Sequence, residues 1–285
     1  MTTVDAAVGE AGRLVIVKRP RPWRIVGTAV LVLLGAALLT SLVTNEQYKW
    51  DVVAEYLTAR SIAGGALLTV ELTAITMVAG LLLGIVLAVM RQSQSKLISG
   101  AAAGYIWFFR GTPLLIQLIF WFNLSALYPV LELKIPFGPV LISGNANVFI
   151  TPFVAAVLGL ALNEAAYMAE IVRGGLLGVD RGQTEAAQAL GMGKLHILRR
   201  IVLPQAMRII IPPTANQTVA TLKNTSLVSV LGAMDLMHSA QVIYSRTYQT
   251  MPLLIVAALW YLAMTSVLTV AQHYVERHYG KGTVA

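Results

Sequence analysis

The sequence contains no cysteine. Disulfides and thiolate metal sites are therefore excluded. Charge is also scarce. Only 12% of the 285 residues are Asp, Glu, Lys or Arg, where soluble domains carry about 25%. With 57% hydrophobic residues and a mean hydropathy of +0.72, the chain lacks the polar residues to cover a water-facing surface. The four histidines, His196, His238, His273 and His278, are scattered without ligand spacing, which argues against a metal site. No run is read as alternating apolar and polar residues with period two, so membrane-spanning β-strands are not expected. No G-x-x-x-x-G-K-[ST] occurs: Lys194 and Lys281 are the only lysines preceded by glycine, and neither fits. The chain cannot hold a nucleoside triphosphate in that way. The net charge of +8 does not mark a nucleic-acid partner, because Lys and Arg of membrane proteins collect in the loops of one side.

What the chain does have is long apolar runs. A helix needs about 20 apolar residues to cross the hydrocarbon core. Six runs qualify: 25–44, 66–90, 105–127, 149–172, 209–231 and 252–274. The third is interrupted by Arg110 and Pro113. The fourth carries Asn163, Glu164 and Glu170, and the fifth Pro212, Pro213 and Lys223. The first run follows basic residues, as a signal peptide would. It is longer than the roughly 7–15 residues of a signal core, and no A-x-A site precedes Asn45, so it reads as an uncleaved anchor. With the N-terminus inside, the cytoplasmic segments hold fifteen Lys and Arg, against Lys49, Arg60, Lys134 and Arg246 outside. Both termini are therefore expected in the cytoplasm. The expected fold is an all-α integral membrane protein with six transmembrane helices. Its parts are a cytoplasmic tail at 1–24, a first helix at 25–44, a transport domain at 64–276 and a cytoplasmic tail at 277–285.

Between the fourth and fifth runs lies EAAQALGMGKLHILRRIVLP, residues 185–204. This cytoplasmic stretch is amphipathic and interrupted by glycine. Residues 183–190 should be helical, with Ala186, Ala187 and Leu190 forming a small apolar patch. Gly191 and Gly193 break that helix. Leu195, Leu198 and Val202 then recur at helical spacing, and Pro204 marks an end or a kink. By physics alone the segment is either a loop helix packed under its own bundle or a docking surface for a soluble partner.

Glu185-Ala-Ala, then Gly191, then Ile201-Val-Leu-Pro204 resembles the EAA signature of ABC importer permeases. FRGTPLL at 109–115, LNEAAYMAEIVRG at 162–174, LPQAMR at 203–208 with Pro212-Pro213, and LKNTSL at 222–227 resemble the polar amino-acid branch of that family. The resemblance runs from about residue 64 to residue 276 and omits the first run. It implies a type I importer fold in which the EAA segment is a coupling helix seated on a cytoplasmic ATPase. Glu185, Ala186, Ala187, Gly191, Ile201, Leu203 and Pro204 would carry that role. It further implies two ATP-binding subunits, which would bind the ATP and Mg. A second permease subunit, identical or related, and an external amino-acid-binding protein complete the assembly. The location implied is the cell membrane of a prokaryote.

Ionisable and polar residues at membrane depth are costly, so each is a candidate for function. Asn163 and Tyr167 share one face of the fourth helix with Glu170, while Glu164 points about 100° away. Glu170 and Arg173 are placed for a structural ion pair at i, i+3. Glu164 either receives a substrate ammonium group or pairs with Lys223. The candidate donors for a carboxylate are Arg110, Thr112 or the helix end freed by Pro113, with Arg110 equally placed to be an anchor at the cytoplasmic edge. Gln117 and Asn216 either line the path or bind neighbouring helices. Outside, Trp50, Val53 and Leu57 suit a surface helix, and 128–144 is either a docking loop or a connector. The competing reading is a gradient-driven transporter using Glu71, Glu164 and Lys223 as an ion relay, which leaves 185–204 unexplained. A non-transporting scaffold would explain that stretch but not the polar residues at depth.

Overall fold

The computed structural model describes residues 6–8, 14–16, 22–135 and 140–279. The two expected tails lie largely outside these residues, as does the tip of the 128–144 loop. The chain forms two compact units, Met1–Lys49 and Trp50–Ala285. In the first, β1 (Ala6–Val8) pairs antiparallel with β2 (Leu14–Ile16), and α1 (Pro22–Thr44) follows. Leu31, Val32, Leu33 and Leu34 of α1 are all exposed. A helix apolar all round is suited to lipid.

The second unit begins with α2 (Trp50–Leu57) and α3 (Arg60–Arg91). Next come α4 (Lys96–Gly111), α5 (Leu114–Phe122) and the short α6 (Leu124–Leu127). A hairpin of β3 (Val130–Lys134) and β4 (Val140–Asn145) leads through α7 (Ala146–Phe149) into α8 (Pro152–Leu177). Then follow α9 (Arg181–Ala189), α10 (Lys194–Ile197), a π-helical turn (Leu198–Val202) and α11 (Leu203–Asn224). A 3-10 run (Thr225–Leu231), α12 (Leu236–Thr247) and α13 (Thr250–Tyr279) complete the unit. The fold is thus almost wholly helical. The purely α expectation fails at the two hairpins. The second forms because VLELK alternates in period two between Pro129 and Pro136.

Among the described residues, α1, α3, α8 and α13 are each long and apolar enough to cross a bilayer. Two bent pairs raise the number to six if each is one span. These are α4 with α5, at 102°, and the stretch Lys194–Leu231 with α12, at 44°. The third apolar run is therefore not one rod. Pro113 has no N–H to give the Phe109 carbonyl four residues earlier, and the helix breaks there. The fifth differs too. Pro204 does not end the preceding helix: α10 runs through the π turn into α11. The Leu203 N–H bonds to the Leu198 carbonyl, five residues back, and this wider turn admits the proline that follows.

α8 is the central helix, packed against α3, α4, α5 and α11. Thr151 caps it, its hydroxyl accepting from the Val154 N–H at 3.2 Å, and Pro152 occupies its first turn. Its buried face is small: Ala155, Ala156, Ala161, Ala165 and Ala169. Small residues let helices approach closely without a water-driven hydrophobic force. α3 answers with Thr69, Thr73, Thr76 and Gly80, all buried. A Cβ on Gly80 would come 2.6 Å from Glu164 Cγ, so only glycine leaves room for that side chain. Elsewhere α2 docks on α13, where Trp260 Nε1 donates to the Leu57 carbonyl at 2.9 Å and Val53 is buried. Trp50 is left exposed.

Candidate functional site

The α4–α5 break, α8 and α11 enclose a cavity of about 470 Å³. Arg110, Thr112, Asn163, Tyr167, Gln217 and Asn224 give it its polar lining. The break is fastened to α8 by amides. The Phe109 carbonyl accepts from Asn163 Nδ2 and Gln117 Nε2, each at 2.9 Å. Asn163 Nδ2 also donates to Gln117 Oε1 at 3.1 Å, and Gln117 Nε2 to Thr112 Oγ1 at 2.7 Å. The acceptor that Pro113 orphans is thus satisfied from two other helical segments. A second tie is Tyr105, whose hydroxyl donates to the Leu162 carbonyl at 2.8 Å. The Arg110 guanidinium carbon stands 5.3 Å from the Tyr167 ring centroid, within cation–π range. The first N–H groups of a helix lack intrahelical partners. Those of α5 begin at Leu114, which also lines the cavity. The wall therefore combines one guanidinium and the oxygens of side-chain amides with the start of α5 at Leu114, beyond which the Ile116 and Gln117 N–H groups already bond to the Pro113 carbonyl.

Of the residues expected on a substrate path, Arg110, Thr112, Asn163 and Tyr167 line this cavity. Gln117 is buried behind it as a helix tie. Asn216 does not reach it: its Oδ1 accepts from Gln272 Nε2 of α13 at 2.9 Å. Gln217, the next residue, is the one that faces the cavity. Glu164 is 3% exposed and does not line it. Its Oε2 accepts from Thr221 Oγ1 at 2.8 Å and from Gln217 Nε2 at 3.0 Å. Pairing with Lys223 is overturned, because Lys223 is exposed and makes no ion pair with any described residue. Glu71 is exposed as well, and the hydrogen-bond partners of Glu164 among the described residues are Gln217 and Thr221 rather than Glu71 or Lys223. Glu170 and Arg173 make the i, i+3 ion pair, at 2.6 Å. Gln217, Thr221 and Asn224 escaped the sequence reading, although they form a polar stripe at i, i+4, i+7 on the fifth apolar run.

The 185–204 segment is a second candidate surface. Asp180 caps α9, its Oδ1 accepting from the Gly182 N–H at 2.6 Å. Gly191, at φ 77°, ends it. The Gly191 N–H bonds to the Gln188 carbonyl and the Met192 N–H to the Ala187 carbonyl, a Schellman pair that needs a left-handed residue. Glu185, Ala186 and Leu190 are exposed, while Ala187 is buried. The expected patch of three is therefore split, with Ala187 turned inward and Ala186 and Leu190 outward. Beyond Gly193, Ile197 is buried, Ile201 is half-buried, and Leu203 and Pro204 are exposed. Ala206 and Ile210 then pack with Ala88, Val172 and Val179. One uninterrupted helical path from Lys194 thus connects this surface to Gln217 in the cavity wall.

Comparison with known proteins identifies the family of the chain. Residues 80–281 match the family described as binding-protein-dependent transport system inner membrane component. The arginine transport system permease protein ArgU of Corynebacterium glutamicum is 46% identical over 264 residues, covering 92% of this chain and 82% of that protein. The putative glutamine transport system permease protein GlnP of Rickettsia prowazekii is 38% identical over 68% of this chain and 81% of its own length. Among solved structures, an amino acid ABC transporter with histidines superposes with a TM-score of 0.65 at 36% identity, over 76% of this chain and 94% of that chain. The inward-facing MetNI methionine ABC transporter, 20% identical, shares the fold with a TM-score of 0.58, over 79% of this chain and 97% of that chain. The chain therefore belongs to the binding-protein-dependent inner membrane components: it is the permease subunit of an ABC importer, and ATP hydrolysis is the work of a separate subunit.

Proposed function

We propose that this permease carries amino acids and crosses the membrane six times, with both termini in the cytoplasm. Residues 25–44 are an added first helix, 64–276 the transport domain, and 1–24 and 277–285 cytoplasmic tails. The observation that carries the reading is the chemistry of the cavity. An amino acid is a zwitterion. Arg110 and the N-terminal N–H groups of α5 suit its carboxylate, and the oxygens of Asn163 and Gln217 suit its ammonium group. Two permease subunits, identical or related, enclose one path. An external binding protein delivers the solute, and two ATPase subunits bind ATP and Mg below.

The coupling surface is the exposed face of 185–204. Glu185, Ala186 and Gly191 meet the ATPase. Ala187, Ile201, Leu203 and Pro204 shape the segment and join it to α11. The excess of Lys and Arg in the segments assigned to the cytoplasm, which include 185–204, supports this side of the membrane. The test is reconstitution with the co-purified ATPase and binding protein in liposomes. ATP-dependent uptake of at least one amino acid is expected. Uptake that persists without ATP, or hydrolysis with no uptake of any amino acid, would contradict the proposal.

A further inference from the structure

Glu164 is a buried carboxylate with no assigned task. It lies at the meeting of three helices: on α8, under Gly80 of α3, and against Gln217 and Thr221 of α11. Among the described residues its Oε1 is buried without a hydrogen-bond partner, and so is the hydroxyl of Thr76 on α3. Only Oε2 is engaged, and both groups facing it are donors. Gln217 is the informative one of the two. It lines the cavity, yet its amide nitrogen is turned away toward Glu164 at 3.0 Å. Its oxygen Oε1 makes no hydrogen bond with any described residue. A glutamine amide offers two donors on one arm and an acceptor on the other. Holding the donor arm on Glu164 leaves the acceptor arm to the cavity.

We infer that Glu164 is a positioning residue: it fixes the Gln217 side chain so that an acceptor, not a donor, faces the ammonium group of the amino acid. Glu164 itself touches no substrate. This rests on the cavity being the amino-acid path proposed above. The role requires an acceptor at Oε2 and does not require charge. Glu164→Gln keeps an amide oxygen for Gln217 and Thr221 and therefore preserves the arrangement. Glu164→Met has similar length and no such acceptor. It frees Gln217 to turn its NH₂ into the cavity, where it opposes an ammonium group. Thr221→Val removes the other donor to Oε2 and leaves Gln217 in place.

The assay is equilibrium binding to the purified permease–ATPase complex without the binding protein. The probes are radiolabelled L-arginine and 5-guanidinopentanoic acid, which is arginine without its α-amino group. The readout is the ratio of the two affinities. A hydrogen bond of ordinary strength corresponds to a loss of roughly 3–10-fold in that ratio. Glu164→Met is expected to show that loss, through weaker L-arginine binding with the analogue unchanged. Glu164→Gln and Thr221→Val should keep the wild-type ratio within about twofold. Gln217→Leu should lose discrimination as Glu164→Met does, and it stands in for that variant if Glu164→Met fails to assemble. Equal loss in Glu164→Gln and Glu164→Met would mean that the charge acts on substrate directly. Equal loss in Thr221→Val would mean a packing role. Either result overturns the inference. Wild-type complex that binds and imports no amino acid would overturn the functional reading itself. An intact wild-type ratio with unchanged Glu164→Met and Gln217→Leu would overturn only the positioning role.

Discussion

Asn163→Leu tests how the α4–α5 break is held. The substitution keeps the number and branching of side-chain heavy atoms but adds bulk, so overpacking adds to the loss of the hydrogen bonds. Asn163 Nδ2 donates to the Phe109 carbonyl at 2.9 Å and to Gln117 Oε1 at 3.1 Å. Hydrogen bonds between helices in a bilayer average about 0.6 kcal/mol and reach about 1.7. Losing two, and leaving a buried Gln117 oxygen unsatisfied at about 1 kcal/mol or more, adds up to about 2–3 kcal/mol. A domain of this size shifts by about 2–4 °C per kcal/mol, so the melting temperature should fall by about 4–12 °C. The assay is thermal unfolding of the detergent-purified transporter. Asn216→Leu is the internal control: it gives up one bond, to Gln272, at an exposed position, and should shift melting by no more than about 2 °C. An Asn163→Leu protein melting within 1 °C of wild type, or no lower than Asn216→Leu, would refute the account of the break.

Three further outcomes are expected. Gly80→Ala puts a Cβ 2.6 Å from Glu164 Cγ and should destabilise the protein by about 1–3 kcal/mol. Gly64→Ala on the same helix meets nothing within 4 Å and should be neutral or stabilising by up to about 1 kcal/mol; the pair is read by thermal unfolding. Gly191→Ala must hold φ at 77°, at about 1–2 kcal/mol, and should reduce the ATPase recovered on co-purification. Gly191→Asn, which tolerates that backbone better, should recover most of it. Glu170→Gln breaks a pair whose side chains are 25% and 33% exposed and should shift melting by the equivalent of less than about 1 kcal/mol.

The sequence was most legible where composition decides. Four of the six apolar runs fall on helices long and apolar enough to cross a bilayer, and the other two fall on bent pairs that count as spans only if each pair is one, because spanning length depends on bulk hydrophobicity. The turn at Gly191 was legible because a glycine after an amphipathic stretch has one common use. Pro113 signalled a break, but the 102° bend comes from the tertiary ties of Asn163 and Gln117 to Phe109, which no local pattern contains. Pro204 left an end or a kink open: the helix continues past it after a π turn, and π turns have no simple residue signature. Opposite charge made Lys223 one of two candidate partners for Glu164, the other being the substrate. Helical phase decides instead. Gln217 and Thr221 lie one turn apart on the face toward α8, and Lys223 lies off it. Asn216 and Gln217 were exchanged for the same reason, since neighbouring residues sit about 100° apart. The hairpin at 130–145 was hidden by its flanking prolines, which read as loop.

The proposed coupling surface can be tested directly because the chain has no cysteine of its own. A single cysteine at Ala186, Leu190 or Ala187 would be its only thiol. The measurement is disulfide or bismaleimide cross-linking of each variant to its ATPase in membrane vesicles, with and without ATP. Cysteines at the exposed positions 186 and 190 should cross-link to the ATPase, with a yield that changes on ATP binding. Cysteine at 187, which is 3% exposed, should not. Cross-linking absent at 186 and 190, or labelling of those sites only from outside the cell, would contradict the account.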